Sequence, residues 1–364
     1  MNRTPIKESQ ETREKTPNAP RPDLTTLILF TAAAVTVLSL ILCLSVLHFG
    51  RPATPSETEP PVSTDPVETS PHVPTVYPTL PTRDDYRLNG NGTAISGESI
   101  SASSAILVSL KDHSVIGSID ADARIYPASM TKIMTLIVAC ENLTDGSEIL
   151  TVTEEIKNFC AANDATVLAM DPGDRFSATD MLYGVGVVSA ADACLALADH
   201  IFGSEQAFVA KMNEKAAALG LTNTHFANCT GLDDDENYST AREMAVILSY
   251  ALDNAFCREV LTTDNRTVLG YYDKDGAETT YPRQLYNTLW SRLKGAGYEQ
   301  KLPASLKSGL SLLGGKTGHT TKGKYCLASI LSDKDGNLYV TVTAAGETAA
   351  SSVTDIDAIV SALR

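Results

Sequence analysis

Ser129 and Lys132 stand three residues apart in the segment Tyr126-Pro127-Ala128-Ser129-Met130-Thr131-Lys132. A helix starting near Ser129 puts the hydroxyl and the amine on one face, within mutual reach. Serine is a poor nucleophile until a base takes its proton, and lysine can be that base only when burial or a second cation destabilises its ammonium. Unpaired N–H groups in the first turn of such a helix suit a developing oxyanion. A second segment, Gly314-Gly315-Lys316-Thr317-Gly318-His319-Thr320, is suited to face that serine from a strand. Lys316 offers a fixed cation, Thr317 a hydroxyl for an anionic carboxylate, and Gly318 room for close backbone approach. The backbone N–H of His319 is expected to point into the same site. Each segment alone is weak. Ordinary usage yields about one S-x-x-K by chance in such a chain, and Ser291-Arg292-Leu293-Lys294 reads as that coincidence. A lone K-T-G reads as a Gly-rich turn with a solvated lysine.

The elements around these segments imply an α+β domain. Ala105 to Gly117 reads as two strands around a polar turn, and Tyr325–Leu331 with Leu338–Ala345 as a hairpin. Helical periodicity fills the middle. Ser129–Ala139 carries Met130, Ile133, Met134, Ile137 and Val138 on one face. A second helix runs from an N-cap at Ser204 to a stop at Gly220. Hairpins at both ends with helices between them predict one antiparallel sheet, built from both ends of the domain and covered by a helical subdomain.

Composition limits the remainder. The net charge of -15 over 364 residues excludes nucleic acid as a partner, because phosphate binding needs clustered Lys and Arg. Leu24–Gly50 lacks any Asp, Glu, Lys or Arg, long enough for a membrane-spanning helix. Basic residues crowd the side before it, which predicts residues 1–23 in the cytoplasm and the rest outside, a single-pass cell-membrane protein. A cleaved signal peptide is the competing reading, though His48-Phe49-Gly50-Arg51 is a poor cleavage site. Residues 51–94 are rich in Pro, Thr and Ser, expected as a disordered stalk, and 95–364 as the folded domain. No cysteine shows zinc or redox spacing, so neither metal nor cofactor is expected.

S-x-x-K followed by K-T-G is the signature of class A β-lactamases and penicillin-binding proteins. The wider context resembles the low-molecular-mass D-alanyl-D-alanine carboxypeptidases. Tyr126–Thr135 is similar to that family's nucleophile helix. Gly231-Leu232-Asp233-Asp234 with Tyr238-Ser239-Thr240-Ala241 is similar to its G-L-x-x…Y-S-T-A block, and Asp171-Pro172-Gly173-Asp174 to its K-P-G-E loop. The resemblance implies a serine β-lactamase/transpeptidase-like fold and removal of the terminal D-alanine from peptidoglycan stem peptides ending in D-Ala-D-Ala, with β-lactams as inhibitors. It implies Ser129 as the acylated nucleophile and Lys132 as its base. Lys316 and Thr317 would hold the substrate carboxylate, and the N–H groups of Ser129 and His319, beside Gly318, would form the oxyanion hole.

One motif departs from the family. The S-x-N element, usually Ser-Gly-Asn-Asp, falls on Ser189-Ala190-Ala191-Asp192. Ser189 is retained as a catalytic residue, while the amide that normally bonds the lysine and a substrate carbonyl is missing at Ala191. A slowed carboxypeptidase is the main expectation. A peptidoglycan-binding or sensing module that has lost its chemistry is the alternative. A β-lactamase ranks lower, since no Glu between Ser189 and Lys316 has Asn four residues on.

Overall fold

The computed structural model describes residues 86–95 and 100–363. The expected tail, membrane helix and most of the stalk lie outside these residues. Among the described residues, no helix is long and apolar enough to cross a membrane.

In chain order the first half comprises β1 (Thr93–Ala94), β2 (Ser104–Ser109), β3 (Val115–Ile119), β4 (Arg124–Ile125) and α1 (Lys132–Asn142). Then come β5 (Ile149–Thr151), α2 (Glu154–Ala162), β6 (Arg175–Ser177), α3 (Ala178–Tyr183), α4 (Ala191–Phe202) and α5 (Glu205–Ala218). The second half comprises β7 (Ser239–Thr240), α6 (Ala241–Asp253), α7 (Ala255–Thr262), β8 (Asn265–Lys274), β9 (Ala277–Tyr286) and α8 (Leu289–Gly295). It closes with β10 (Ala304–Ser305), β11 (Ser311–Thr320), β12 (Lys324–Ser332), β13 (Leu338–Gly346) and α9 (Ser351–Ala362).

The main sheet has seven strands in the order β1-β3-β2-β13-β12-β11-β10. Strand β2 from one end of the domain pairs antiparallel with β13 from the other, Val108 opposite Val340 and Ile106 opposite Val342. The expectation of a sheet closed from both ends is therefore met. Alternate side chains enter two cores, as a period of two requires. Ile106, Val108, Ala328, Ile330, Val340 and Val342 face the helical subdomain. Leu107, Leu312, Leu327 and Leu331 pack with Leu289, Leu293, Val353, Ile356 and Ile359 of α8 and α9. Burial on both faces explains why these strands read as nearly unbroken apolar runs.

Helix α1 is the axis of the helical subdomain. Its residues Lys132 through Cys140 are all buried, so it is enclosed rather than one-faced as the periodicity implies. Each fully buried Leu, Ile or Met there contributes about 1.5–3 kcal/mol. Ser204 caps α5 by accepting from the Ala207 N–H, and Gly220, one residue past the C-cap Leu219, ends it with φ 73°.

Two features go beyond the sequence reading. Tyr86, which composition assigns to the stalk, is 2 % exposed; its hydroxyl donates to Asp253 at 2.6 Å and its ring meets Tyr250 edge-on at 5.0 Å. Strand β1 likewise pairs with β3, so the folded domain takes in residues upstream of Ile95. The second feature is a four-stranded sheet, β5-β6-β8-β9. Its long hairpin turns at Asp275-Gly276, both with positive φ, the geometry a two-residue hairpin prefers.

Candidate active site

The Ser129 segment is a short 3-10 turn, Ala128–Thr131, running directly into α1. Ala128 has φ 49°, a left-handed value that costs about 1–3 kcal/mol and persists only where the surroundings enforce it. Here backbone packs on backbone from three sides. A Cβ on Gly231 would lie 2.2 Å from the Ala128 carbonyl oxygen; on Gly318, 2.9 Å from the Pro127 oxygen and 3.2 Å from the Ser129 nitrogen; on Gly323, 2.8 Å from the Tyr126 oxygen. No side chain fits at these positions. Asn228 accepts from the Gly231 N–H at 2.7 Å, and Asp233 accepts from the Lys322 N–H at 3.1 Å. The glycine loop is thereby tied to the strand turn opposite.

Ser129 is half-buried, and Lys132 at the start of α1 is 3 % exposed. The Lys132 Nζ donates to Ser129 Oγ at 3.0 Å and to the Thr230 carbonyl at 2.5 Å. Burial pushes its ammonium below the ordinary lysine range, a shift that the Asp192 carboxylate partly opposes. This is the destabilised lysine that a serine nucleophile requires.

The facing wall is β11. Strand β10 pairs only with Ser311 and Leu312, so the edge from Gly314 onward is free to meet the Ser129 turn. Lys316 is fully buried. Burial, then Lys132 and then Arg292, drive its ammonium well down, and its Nζ donates to the Thr317 carbonyl at 3.0 Å. Thr317 Oγ1 shares a hydrogen bond of 2.7 Å with Thr288 Oγ1. His319 is exposed, its ring stacked on Tyr325 at 4.2 Å. Arg292, from the S-x-x-K match dismissed as coincidence, lies beneath this strand and donates to the Gly318 and Cys326 carbonyls at 2.8 and 2.6 Å. Ser291 and Lys294 of that match are exposed, so it forms no second nucleophile site.

The third element closes a π turn, Gly184–Val188, that packs on α1. Ser189 follows it with φ 67° and ψ 33° and is 5 % exposed. It is not among the hydrogen-bond partners of Lys132. Ala191 opens α4, buried, its N–H donating to the Thr166 carbonyl at 2.7 Å. The buried Asp192 carboxylate accepts from the Leu168 and Ala193 N–H groups, both at 2.9 Å. Burial raises its pKa, and these N–H groups pull it back. Asp192 therefore holds the 165–170 loop.

Ser129, Lys132, Lys316, Thr317 and Gly318 thus gather where strand edge meets helix start. The roles of Gly231, Thr230, Thr288 and Arg292 escaped the sequence reading. Gly231 was visible as part of a motif. The others act through backbone atoms or through partners distant in sequence, and no spacing announces them. Among the described residues no cluster of His, Cys, Asp or Glu could hold a metal.

The D-alanyl-D-alanine carboxypeptidase family model matches residues 91–346. D-alanyl-D-alanine carboxypeptidase DacF of Bacillus subtilis is 34% identical over 239 residues, covering 65% of this chain and 55% of the relative. DacA of Escherichia coli is 32% identical over 238 residues, covering 63% and 53%. The chain therefore spans about half the length of these curated relatives. The crystal structure of the Streptomyces K15 DD-transpeptidase superposes with a TM-score of 0.64 at 27% identity, covering 74% of this chain and 99% of that one. Penicillin binding protein 5 from Haemophilus influenzae gives 0.58 at 26% identity, covering 72% and 70%. With the two facing motifs meeting at one strand edge, the chain belongs to the D-alanyl-D-alanine carboxypeptidase family.

Proposed function

We propose that this protein is a penicillin-sensitive serine D-Ala-D-Ala carboxypeptidase, acting on peptidoglycan stem peptides through an acyl-enzyme on Ser129. The observation that carries the reading is the Lys132–Ser129 contact of 3.0 Å inside an enclosure that disfavours the ammonium. Neutral Lys132 takes the Ser129 proton as Oγ attacks the carbonyl of the penultimate D-alanine. The oxyanion is received by the N–H groups of Ser129 and His319. Collapse expels D-alanine, whose amine takes a proton, with Ser189 as the hydroxyl nearest in role to relay it. Water then releases the shortened peptide. The substrate carboxylate lies on Lys316 and Thr317, where an anion restores the charge that burial disfavours on Lys316. Residues 24–50 anchor the domain outside the cell membrane, a reading supported by their uncharged run and its one-sided basic flank.

The test is covalent labelling with a fluorescent penicillin, paired with release of D-alanine from a D-Ala-D-Ala peptide. Ser129→Ala should abolish both, and Ser291→Ala should change neither. Ala191, which removes the family's amide, favours one second reading, a non-catalytic peptidoglycan-binding module. A folded wild type that neither labels nor turns over would overturn the enzyme reading and leave the binding module.

A further inference from the structure

The guanidinium of Arg292 is buried, 5 % exposed, and among the described residues it pairs with no carboxylate. Its partners are the Gly318 carbonyl at 2.8 Å, the Cys326 carbonyl at 2.6 Å and Ser352 Oγ at 2.8 Å. Buried arginines ordinarily sit on carboxylates, because an unpaired charge away from water is costly. This one spends its donors on the backbone of a single cross-strand pair, since Gly318 and Cys326 are directly opposite in the β11–β12 ladder.

Gly318 carries the informative carbonyl. That oxygen and the His319 N–H are the two ends of one peptide unit, and in a planar trans peptide they point in opposite directions. We propose that Arg292 is a positioning residue for acyl transfer: by holding the Gly318 oxygen from behind, it aims the His319 N–H at the open strand edge beside Ser129. The proposal rests on the acyl-enzyme reading above. Two further observations place the peptide at the site. The position a Gly318 Cβ would take is 3.2 Å from the Ser129 nitrogen, so the two expected oxyanion donors belong to touching backbone segments. Tyr325 packs between the two groups, its ring stacked on His319 at 4.2 Å and its centroid 5.8 Å from the Arg292 guanidinium carbon. A cation on a carbonyl also polarises the whole peptide, strengthening its N–H as a donor in a medium of low dielectric. Arg292 so acts on the transition state without touching substrate.

A mere staple between α8, the sheet and α9 would affect folding but not the chemical step, and this difference is measurable. In the full-length protein, the limiting rate of adduct formation at saturating fluorescent penicillin is separated from the concentration giving half that rate. Arg292→Met should slow the limiting rate about ten- to a hundredfold, with the half-saturating concentration nearly unchanged. Arg292→Lys, which keeps the cation but loses the fork, should fall between. Ser352→Ala, which removes one partner and leaves both carbonyl contacts, should stay within about twofold. A cooperatively melting Arg292→Met protein with the wild-type limiting rate overturns the proposal, as does a Ser352→Ala protein slowed equally. Should Arg292→Met not melt cooperatively, Arg292→Lys decides: a slowed limiting rate supports the proposal, and an unchanged one overturns it. A wild type without adduct overturns the acyl-enzyme reading and this inference with it, whereas labelling at equal rates in all variants overturns this inference alone.

Discussion

The two sides of the site are built by different means. Around Ser129, geometry is set by backbone pressed on backbone, with Gly231, Gly318 and Gly323 leaving no room for a Cβ. Around Ser189, the backbone N–H groups of Ser189 and Ala190 both turn onto the Gly184 carbonyl, while the buried Asp192 carboxylate holds the Leu168 and Ala193 N–H groups beside them. The first side keeps every polar group that its motifs require. On the second, the amide position is Ala191, and the neighbouring charge is committed to the fold. Backbone contacts from Gly231, Gly318 and Gly323, rather than hydrogen bonds of the second motif, thus set the Ser129 turn. Loss of the amide can therefore slow the chemistry without disordering Ser129.

The largest expected effect is on the first side. Lys132→Met should lower the acylation rate by about 10²–10⁴-fold, the usual worth of a general base, read as adduct formation over time. In wild type the rate should climb with pH to a plateau, with a midpoint below the ordinary lysine value of 10.5, because burial disfavours the protonated form. The sign for stability follows. Between the depressed folded pKa and 10.5 the unfolded chain binds more protons, so stability rises with pH across that window. Lys132→Met should lessen that rise in denaturant titrations, leaving the share that Lys316, also driven well down by burial, contributes. A rate profile with its midpoint at the ordinary lysine value would refute Lys132 as the base.

Next in size is the glycine contact. Gly231→Ala should cost about 3 kcal/mol or more, combining a φ of +75° with a clash into the Ala128 carbonyl. Gly173→Ala, at φ +91° with open space around it, should cost only about 1 kcal/mol. Equal thermal shifts for the two would break the claim that backbone packing holds the nucleophile.

On the second side, Asp192→Ala should destabilise by about 2 kcal/mol, since buried N–H groups lose their acceptor. If the sides are independent, acylation by the folded fraction should fall far less than in Lys132→Met. A loss of comparable size would join them into one unit. The smallest effect is expected of Ala191→Asn. Restoring the amide should speed release of D-alanine by up to about tenfold, equivalent to about 1.4 kcal/mol. A slower enzyme would mean that the buried position is already filled by its neighbours.

The reach of sequence reasoning differed by element. The β2–β13 closure was legible because apolar runs and polar turns sit at both ends of the domain. The β8–β9 hairpin was missed although Asp275-Gly276 marks its turn. Its strands are largely exposed, so they lack the apolar alternation that draws attention. The α5 caps were legible because capping is local. The enclosure of α1 was not, because periodicity cannot tell a one-sided helix from one buried all round.

What the sequence by itself determines here is chemical inventory and order: a serine and a lysine one helical turn apart, a K-T-G on a late strand, and strands at both ends that must pair. These follow from local periodicity and covalent spacing. Tertiary structure alone decides which amines are driven below the ordinary lysine range, since that depends on water excluded by segments far apart in the chain. It alone also sets the strained Ser129 turn against Gly231 and seats the Arg292 charge on the Gly318 peptide, 26 residues away in sequence. Burial and opposed backbones are properties of surfaces brought together, and no spacing along a single chain encodes them.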